Sequence, residues 1–590
     1  MRDPTPRRSP LTDGLISRWR RSERWAGQVL VALPALVAVA FAVGRGWTPA
    51  GDQSVEALRI FEVGTRHMPL VGAYSRFGWD HPGPLLFWLC APGYRLFGTD
   101  GVLLTVGCIN ALAAATAVQA ARKVGGATLG WLCAAALGLL LASQGATLLL
   151  DPWNPWVLTV PVFAFFLAGW AAANGEKAYL PLAIGFGSYA VQAHLSCGPV
   201  VIVGAVGCVA WRVGARWRAG AKPMPVRWVA GSLVLALGLW SGPLWQQLTS
   251  SPGNVTELLK FFTSDHPTVG WTAASHVAGR QFGLLPPWLG APELNPYGSV
   301  GLASPLYAWA VLGVVVIVAA VAWRRSQRRA AGLAVLAVIL ALTSTVAMSR
   351  SVDALFYYFL RWLWPVGALL WVAGAWAIVT SVPRVKARRV LIPGLVVVSV
   401  AASGWATTDS WSVDLPTAVD SRAVASLTRQ LEATLPSTPK IQMRWDDLRG
   451  FGTVSVGVAT QLMRDGWPVR LTAFEPHVVK PWWTARPDPR LPTVYLISHF
   501  SMRGWSPPPR SRRLAIYDAL SRPERVEADR LEDRIRVELK AKDAEVIDVQ
   551  GAFQAEFAHA LGANKAVITR LSHLQSRGDH YEVWLLPPGA

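Results

Sequence analysis

Three ionisable side chains follow the first apolar segment of this 590-residue chain. Asp52 begins the stretch, Glu56 follows one helical turn later, and His81 belongs to the segment HPGP. A carboxylate at the boundary between water and lipid is costly unless it has a partner or a task. A well-placed carboxylate can take the proton of a hydroxyl group as a general base, and Glu56 could share or replace Asp52 in that role.

Structural roles for the same residues stay open at this stage. Asp is a favoured N-cap residue, so Asp52 could cap the short amphipathic helix that the pattern SVEALRIFEVGT predicts. His81 could contact a phosphate or orient Asp52, and it could equally be a packed loop histidine beside a proline. These residue types allow a catalytic pocket without requiring one.

Further polar side chains lie at the ends of other apolar segments. Asp151 and Asn154 belong to DPWNPW, and Gln192 and His194 belong to QAHLSCGP. Such groups can hydrogen-bond a sugar, and the tryptophans of DPWNPW can stack on a sugar ring. Polar capping of a helix and an interfacial tryptophan belt explain the same residues equally well.

An amide and two cations complete the set of candidate binding residues. Asn254 follows the segment GPLWQQLTSSPG, and Arg350 and Arg361 lie at the ends of two apolar segments. Fixed cations stabilise the negative charge that grows on a departing phosphate. The alternative for both arginines is that they extend from the helix ends to the membrane surface.

The composition identifies a membrane protein. Hydrophobic residues make up 52% of the chain and charged residues only 16%, and the mean hydropathy is +0.32. Several apolar stretches reach the ~17–25 residues that a helix needs to cross a bilayer. The formal net charge of +20 does not indicate nucleic-acid binding, because the basic residues punctuate the apolar segments as topology signals do.

The basic clusters predict a polytopic α-helical membrane protein with the N-terminus inside and the C-terminus outside. The pattern predicts about eleven transmembrane helices, at 25–43, 101–121, 127–149, 155–173, 178–193, 198–213, 228–248, 306–323, 331–348, 362–380 and 390–405. The segment LLFWLCAPGYRLF has only ~13 residues, too few to span a bilayer, so we interpret it as interfacial or re-entrant. Residues 44–100 then form one long external loop.

The domain organisation follows from the change in composition after the last apolar segment. We predict a basic cytoplasmic N-terminus at 1–24, a transmembrane domain at 25–405 and a soluble extracytoplasmic α/β domain at 406–590. In the last domain, strand-like segments (KIQMRW, VRLTAF, TVYLIS and VWLLP) alternate with helical ones (TVSVGVATQLMRDG and ERVEADRLEDRIRVELKAKD). The five cysteines show no metal-ligand spacing.

The order of these features resembles the GT-C superfamily of membrane glycosyltransferases that use polyprenyl-phosphate sugars, such as the protein O-mannosyltransferases and the lipid A aminoarabinose transferase. In that superfamily an acidic residue after the first helix precedes a juxtamembrane helix, a His/Pro element and a short apolar segment ending near Phe-Gly. The matching stretches here are Gly51-Asp52, SVEALRIFEVGT, HPGP (in place of the usual His-Pro-Pro) and LLFWLCAPGYRLFG. Asp151 matches the acidic residue of the second external loop, and the resemblance covers roughly residues 25–250.

The resemblance implies transfer of a sugar from a polyprenyl-phosphate donor to a glycan, lipid or protein acceptor of the cell envelope. It implies Asp52 as the base and Asp151 as a second acidic group. The remaining candidates are substrate-binding residues: Glu56, His81, Asn154, Gln192, His194, Asn254, Arg350 and Arg361. The expected partners are the donor, the acceptor and membrane lipids, without nucleic acid. No cofactor is certain, although a divalent metal stays open, and the expected location is a bacterial plasma membrane.

Two other functions stay as alternatives. A transporter or lipid flippase predicts ionisable residues near the middle of the spans and paired broken helices, whereas the polar residues here gather at one face. A non-catalytic scaffold would not need an acidic residue in both external loops.

The topology generates a first prediction. A reporter fused after Ala590 should behave as extracytoplasmic, and one fused near Arg216 as cytoplasmic, because the basic clusters mark the inner side. A paired phosphatase and fluorescent-protein reporter assay would measure both positions. A cytoplasmic signal from the C-terminal fusion would contradict the eleven-helix topology.

Overall fold

The computed structural model describes residues 10–220, 222–290, 300–352, 355–382, 385–435, 440–447, 452–472, 476–499, 501–502, 504–540 and 564–589. The chain divides into two compact units. The helical unit comprises Met1–Ala42 and Leu104–Val413, and the α/β unit comprises Val43–Leu103 and Asp414–Ala590. The long first loop thus belongs to the same unit as the C-terminal segment. The predicted functional domains at 1–24, 25–405 and 406–590 stay a prediction.

The helices up to residue 411 fall largely within the helical unit. They are α1 (Pro10–Ala42), α2 (Gly51–Glu62, in the α/β unit), α3 (Leu85–Gln144, shared by both units), α4 (Thr159–Ala173), α5 (Tyr179–Ala193), α6 (Gly198–Ala219), α7 (Val226–Leu239), α8 (Ser241–Thr249), α9 (Asn254–Thr263), α10 (Gly270–Phe282), α11 (Pro305–Arg324), α12 (Arg328–Ser349), α13 (Leu363–Ser381) and α14 (Val385–Trp411). Short 3₁₀ turns lie at Thr147–Leu149, Leu195–Cys197, Pro287–Leu289 and Tyr357–Leu360.

The protein is a multi-pass helical membrane protein. Among the described residues, seven helices are long and apolar enough to cross a membrane, or eight if α7 and α8, which bend by 51° at their junction, form one span. The predicted polytopic architecture is confirmed in this coarser form. The count of eleven and the orientation stay predictions.

Helix α3 folds back on itself within the helical unit. Its 60 residues exceed one bilayer crossing about threefold. Gly126 has φ +65°, a left-handed conformation that interrupts a regular helix. The Asn110 amide donates a hydrogen bond to the Leu149 carbonyl at 2.9 Å. In a straight helix these two residues would lie far apart, so the chain must reverse its direction between them. The reversal lies between the predicted helices 101–121 and 127–149.

The α/β unit contains a five-stranded mixed sheet. Its strands are β1 (Ile441–Asp446), β2 (Val469–Leu471), β3 (Thr493–Ser498), β4 (Arg512–Asp518) and β5 (His580–Leu586), in the order β2-β1-β3-β5-β4. The β1–β2 and β1–β3 pairs are parallel, and β5 pairs antiparallel with β3 and β4. The predicted C-terminal α/β fold is confirmed. Strand β4 was not predicted, because its basic RR start follows a proline-rich segment.

The remaining helices of this unit are α15 (Ala418–Thr434), α16 (Thr453–Arg464), α17 (Pro476–Val479), α18 (Arg522–Lys540) and α19 (Lys565–Gln575), with a 3₁₀ turn at Pro481–Trp483. Helix α2 packs against α16, so the first loop contributes directly to the core of the C-terminal fold. Val55 and Leu58 of α2 are buried in the same cluster as Val454 and Leu462 of α16. Burying such side chains stabilises the contact by roughly 1.5–3 kcal/mol each.

A glycine allows this close approach. A Cβ atom on Gly457 of α16 would lie 2.6 Å from Val424 Cγ2 and 3.2 Å from both Ala50 Cα and the Pro49 carbonyl oxygen. The backbone before α2 therefore packs directly against α16 at Gly457, where a larger side chain would collide with it.

Gly457→Ala should lower the thermal stability of the purified protein, because overpacking of a tight core costs about 1–3 kcal/mol. Thermal unfolding in detergent, followed by intrinsic fluorescence, would measure the loss. Gly313→Ala in α11 is the matched control, since no atom lies within 4 Å of the added Cβ there. Equal melting temperatures for the wild type and Gly457→Ala would contradict the packing described.

Candidate functional site

Asp52 lies in the first turn of α2 and does not cap it. The helix begins at Gly51, and its N-cap is Ala50, with no side-chain hydrogen bond to the helix end. The alternative in which Asp52 caps the helix is therefore wrong, because the helix starts two residues earlier than that alternative requires. The half-buried Asp52 carboxylate instead accepts a hydrogen bond from the Tyr74 hydroxyl at Oδ1. Its negative charge is also favourable beside the positive end of the helix dipole.

A short hairpin, residues 72–81, carries Tyr74. Ser75 N–H donates to the Trp79 carbonyl at 2.8 Å, and His81 N–H donates to the Ala73 carbonyl at 2.8 Å. His81 is buried, and its ring meets the Trp79 ring edge-on at a centroid distance of 5.4 Å. Trp79 and the backbone pairing thus hold the imidazole.

A lysine from the C-terminal segment holds the other end of the hairpin. The Lys480 ammonium donates to both oxygens of Asp80, at 2.7 and 2.8 Å. Lys480 has φ +74° and ψ 150°, a conformation that strongly favours glycine and costs other residues about 1–3 kcal/mol. The surrounding contacts must offset that cost.

A buried carboxylate joins the same two segments. The Glu62 Oε1 accepts hydrogen bonds from the indole N–H groups of Trp482 and Trp483, each at 2.6 Å, and Oε2 pairs with Arg59. Arg59 is 4% exposed, and its guanidinium lies 5.6 Å from the Trp482 ring centroid. Burial lowers the pKa of Arg59, and the carboxylates of Glu62 and Asp80 oppose that effect. We call this group, Arg59, Glu62, Asp80, Lys480 and Trp482–Trp483, the loop clamp.

Glu56 lies on the buried side of α2, at 2% exposure. Its position one turn after Asp52 agrees with the helical spacing of the sequence. The structure thus brings Asp52 and Glu56 onto one short helix and places His81 on the hairpin that also bears the hydrogen-bond partner of Asp52.

In the helical unit, an arginine is enclosed by aromatic rings. Arg361 is 1% exposed, and its guanidinium lies 4.2 Å from the Trp364 ring centroid, 4.7 Å from that of Tyr357 and 5.9 Å from that of Trp156. An arginine stays charged in proteins, so the site keeps a fixed positive charge. The surface-extended alternative for Arg361 does not fit its burial.

Three other candidates are connected to this arginine indirectly, through the Trp156 ring and the segment DPWNPW. The Trp153 ring of DPWNPW contacts the Trp156 ring at 4.9 Å. Asp151, 2% exposed, accepts a hydrogen bond from Trp153 N–H at 2.9 Å, and the Asn154 amide donates to the Ala193 carbonyl at 2.9 Å. His194 follows Ala193. We call Asp151, Asn154, His194 and Arg361, with the tryptophans of DPWNPW, the arginine cluster.

His194 is held as a neutral imidazole. Its Nδ1 lies 2.6 Å from the Ser196 hydroxyl, and its ring meets the Phe359 ring edge-on at 5.8 Å. Burial lowers the pKa of His194 to about 3. At neutral pH it can therefore donate or accept a hydrogen bond, but it adds no charge to the arginine cluster.

The remaining candidates lie apart from these contacts. Gln192 is fully buried, and its amide donates to the Leu239 carbonyl at 2.9 Å. Asn254 begins α9, where its backbone N–H donates to the Gln246 side chain at 2.9 Å. Arg350 is exposed at the end of α12, a position that agrees with the surface-extended alternative.

An apolar groove opens in the helical unit. Its volume is about 440 Å³, and its lining includes Val269, Val277, Leu302 and Leu355. Leu355 precedes the 3₁₀ turn Tyr357–Leu360 and Arg361 by only a few residues. Sequence reasoning missed this groove, since its lining comes from three separated segments.

Within the described part of the chain, no three His, Cys, Asp or Glu side chains come together in an arrangement that could hold a metal ion.

Comparison with solved structures matches most of the chain. ArnT from Cupriavidus metallidurans bound to undecaprenyl phosphate superposes with a TM-score of 0.51 at 14% identity, covering 82% of this chain and 95% of ArnT. The apo state of the same protein gives 0.50 at 15% identity, with the same coverage. The chain has the fold of ArnT. The resemblance predicted from the sequence is confirmed at the level of the fold.

The other similarities found are weaker. An oligosaccharyltransferase from Archaeoglobus fulgidus, in complex with zinc and sulfate, matches with a TM-score of 0.35 at 12% identity, over 77% of this chain and 62% of that one, too low to support an argument. No protein-family model matches the sequence, and no curated protein matches it significantly.

Sequence reasoning also missed a buried carboxyl at the end of β1. Asp447 is 5% exposed and accepts hydrogen bonds from the Ser455 hydroxyl at 2.9 Å and the Ser455 N–H at 3.3 Å. Burial raises the pKa of Asp447 to about 7, and the two bonds from Ser455 oppose the rise. The sequence signal that could have indicated this carboxyl is WDD, two adjacent aspartates where a strand-like segment ends.

The raised pKa makes stability depend on pH. The folded state holds the Asp447 proton more tightly than the unfolded state, whose aspartates titrate near 3.9. Stability should therefore fall as pH rises from about 4 to about 7, by roughly 4 kcal/mol at most. Asp447→Asn should remove this dependence, so the variant should match the wild type at low pH and exceed it above neutrality. Thermal unfolding across that range would measure the difference, and a pH-independent difference would contradict the assignment.

Proposed function

We propose that the protein is an integral-membrane glycosyltransferase that moves a sugar from a polyprenyl-phosphate donor to a cell-envelope glycan, lipid or protein on the external face. The observation that carries the proposal is the fold shared with ArnT over most of both chains. That structure contains undecaprenyl phosphate, which is the lipid carrier class the proposal requires. The two candidate clusters supply the residue types that such a transfer needs.

Asp52 is the proposed base. The acceptor hydroxyl gives its proton to the Asp52 carboxylate while its oxygen forms a bond to the anomeric carbon. The bond from that carbon to the phosphate oxygen breaks, and polyprenyl phosphate leaves with the electron pair. A positioned carboxylate contributes ~10²–10⁴-fold to such a step. The Tyr74 hydroxyl stabilises the ionised, proton-accepting form of Asp52.

Arg361 is the proposed partner of the donor phosphate. Its charge cannot be lost, and the surrounding rings fix its orientation. A fixed cation stabilises negative charge on the leaving group without reorganising during the reaction. The apolar groove lined by Leu355 suits the first isoprene units of the lipid.

The other candidates keep supporting roles in this proposal. Asp151 is the second acidic group, and Asn154 and His194 are neutral hydrogen-bonding groups of the arginine cluster. Glu56 on α2 and His81 on the hairpin are proposed substrate-binding residues on the same two elements as Asp52 and Tyr74. Gln192, Asn254 and Arg350 are proposed contacts farther along the substrates.

Asp52→Asn tests the proposed base. The variant should fold and bind undecaprenyl phosphate normally but transfer sugar ~10²–10⁴-fold more slowly, because the amide cannot accept the proton. Since Ala50 is the N-cap, the substitution removes no helix cap. Transfer of a radiolabelled sugar from its undecaprenyl-phosphate form would measure the rate.

Asp465→Asn, at the exposed end of α16, is the matched control and should keep full activity. Near-normal transfer by folded Asp52→Asn would remove Asp52 as the base, and Asp151 would then be tested in the same way.

A further inference from the structure

Asp52 and the C-terminal segment are connected through one small element, the hairpin of residues 72–81. Tyr74 and Asp80 are bridge partners across this hairpin. Tyr74 donates its hydroxyl hydrogen to the Asp52 carboxylate, and Asp80 accepts two hydrogen bonds from Lys480. A chain of direct contacts therefore runs from Lys480 to Asp52, although the two residues are more than four hundred positions apart in the sequence.

Both the backbone conformation of Lys480 and the contacts of the tryptophans that follow it fix the position of this residue. Its backbone adopts φ +74°, a conformation that favours glycine, yet the residue carries a long charged side chain that is only 12% exposed. The residues that follow it, Trp482 and Trp483, donate their indole hydrogens to Glu62 at the end of α2. Helix α2, which carries Asp52 in its first turn, is thus fixed at its other end by the segment that presents the Lys480 ammonium.

We propose that Lys480 and Tyr74 are positioning residues that hold the Asp52 carboxylate in the orientation needed for proton transfer. The proposal rests on the proposed function, because it assigns Asp52 as the base. Tyr74 fixes the rotation of the carboxylate about its Cβ–Cγ bond. Lys480 fixes Asp80, and through the paired backbone it fixes the strand that carries Tyr74. The C-terminal segment is then a part of the catalytic apparatus, in addition to any contact it makes with the acceptor.

A purely structural role and a positioning role differ in one measurable respect. A hydrogen bond to the ionised carboxylate favours that form, so its removal must move the titration of Asp52 to higher pH. A residue that only stabilises the fold changes the melting temperature and leaves that titration where it was. The readout must therefore follow the protonation of Asp52 itself.

Carbodiimide labelling of the full chain in detergent provides that readout. The reagent activates protonated carboxyl groups, and an added isotope-coded amine marks them for peptide mass spectrometry. The extent of labelling at Asp52 would be measured between about pH 3 and pH 7, a range that includes the ordinary aspartate value near 3.9. Tyr74→Phe should move the midpoint upward by about one pH unit.

Lys480→Met should move the midpoint in the same direction, because it releases the hairpin. The double variant should move it no further than the larger single change, since both substitutions break one chain of contacts. Tyr517→Phe and Lys440→Met make the same chemical changes elsewhere in the α/β unit and should leave the midpoint unchanged. If Lys480→Met does not fold, Asp80→Asn must give the upward shift in its place.

An unchanged midpoint in folded Tyr74→Phe, or a double-variant shift equal to the sum of the single shifts, would overturn the proposal. Because labelling needs no turnover, this result is separate from the sugar-transfer test of Asp52→Asn. A shifted midpoint combined with normal transfer by Asp52→Asn would overturn the role in proton transfer while retaining the contact chain.

Discussion

The burial of charge between two distant parts of the chain constrains the α/β unit. Glu62 and Asp80 come from the first loop, and both are held by groups from the segment Lys480–Trp483. Charge-assisted hydrogen bonds contribute about 1.5–3 kcal/mol each, and leaving one buried partner alone costs about 3–5 kcal/mol. The loop clamp therefore specifies one register between the two segments. The start of α2, the hairpin and the Tyr74–Asp52 contact all follow from that register.

A second buried charge organises the helical unit. The guanidinium of Arg361 cannot be neutralised by losing its proton, so the fold surrounds it with polarisable ring faces. The same rings connect it to DPWNPW, whose Asp151 and Asn154 are tied to the backbone nearby. Within the helical unit, Arg361 and DPWNPW therefore belong to one connected set of aromatic and hydrogen-bonded contacts. Preorganised groups of this kind stabilise developing charge at little reorganisation cost.

Local patterns predicted much of the fold. The hydropathy of the apolar segments predicted a multi-pass membrane protein, and the strand-like segments KIQMRW, VRLTAF, TVYLIS and VWLLP located β1, β2, β3 and β5. Asp52, Glu56 and His81 were predicted from residue type and from their place after the first helix. The cap interpretation of Asp52 failed because side-chain preference does not fix the first residue of a helix to better than about two positions.

Long-range contacts could not be predicted in this way. Nothing in the pattern around Lys480 indicates that its ammonium meets Asp80, or that two adjacent tryptophans share Glu62. Tyr74 lies in a loop rich in Gly and was not singled out, since its role depends on the hairpin that brings it to Asp52. The burial of Arg361 was likewise missed, because an arginine at the end of an apolar segment usually extends to the surface. These features depend on tertiary packing, for which a single sequence carries only local signals.

The most direct test of the proposed sugar transfer is a cryo-EM structure of the full chain with bound undecaprenyl phosphate. We expect the phosphate to lie within hydrogen-bonding distance of the Arg361 guanidinium and the first isoprene units to occupy the groove lined by Leu355. Phosphate density away from the arginine cluster, with Arg361 still enclosed by its aromatic rings, would contradict it.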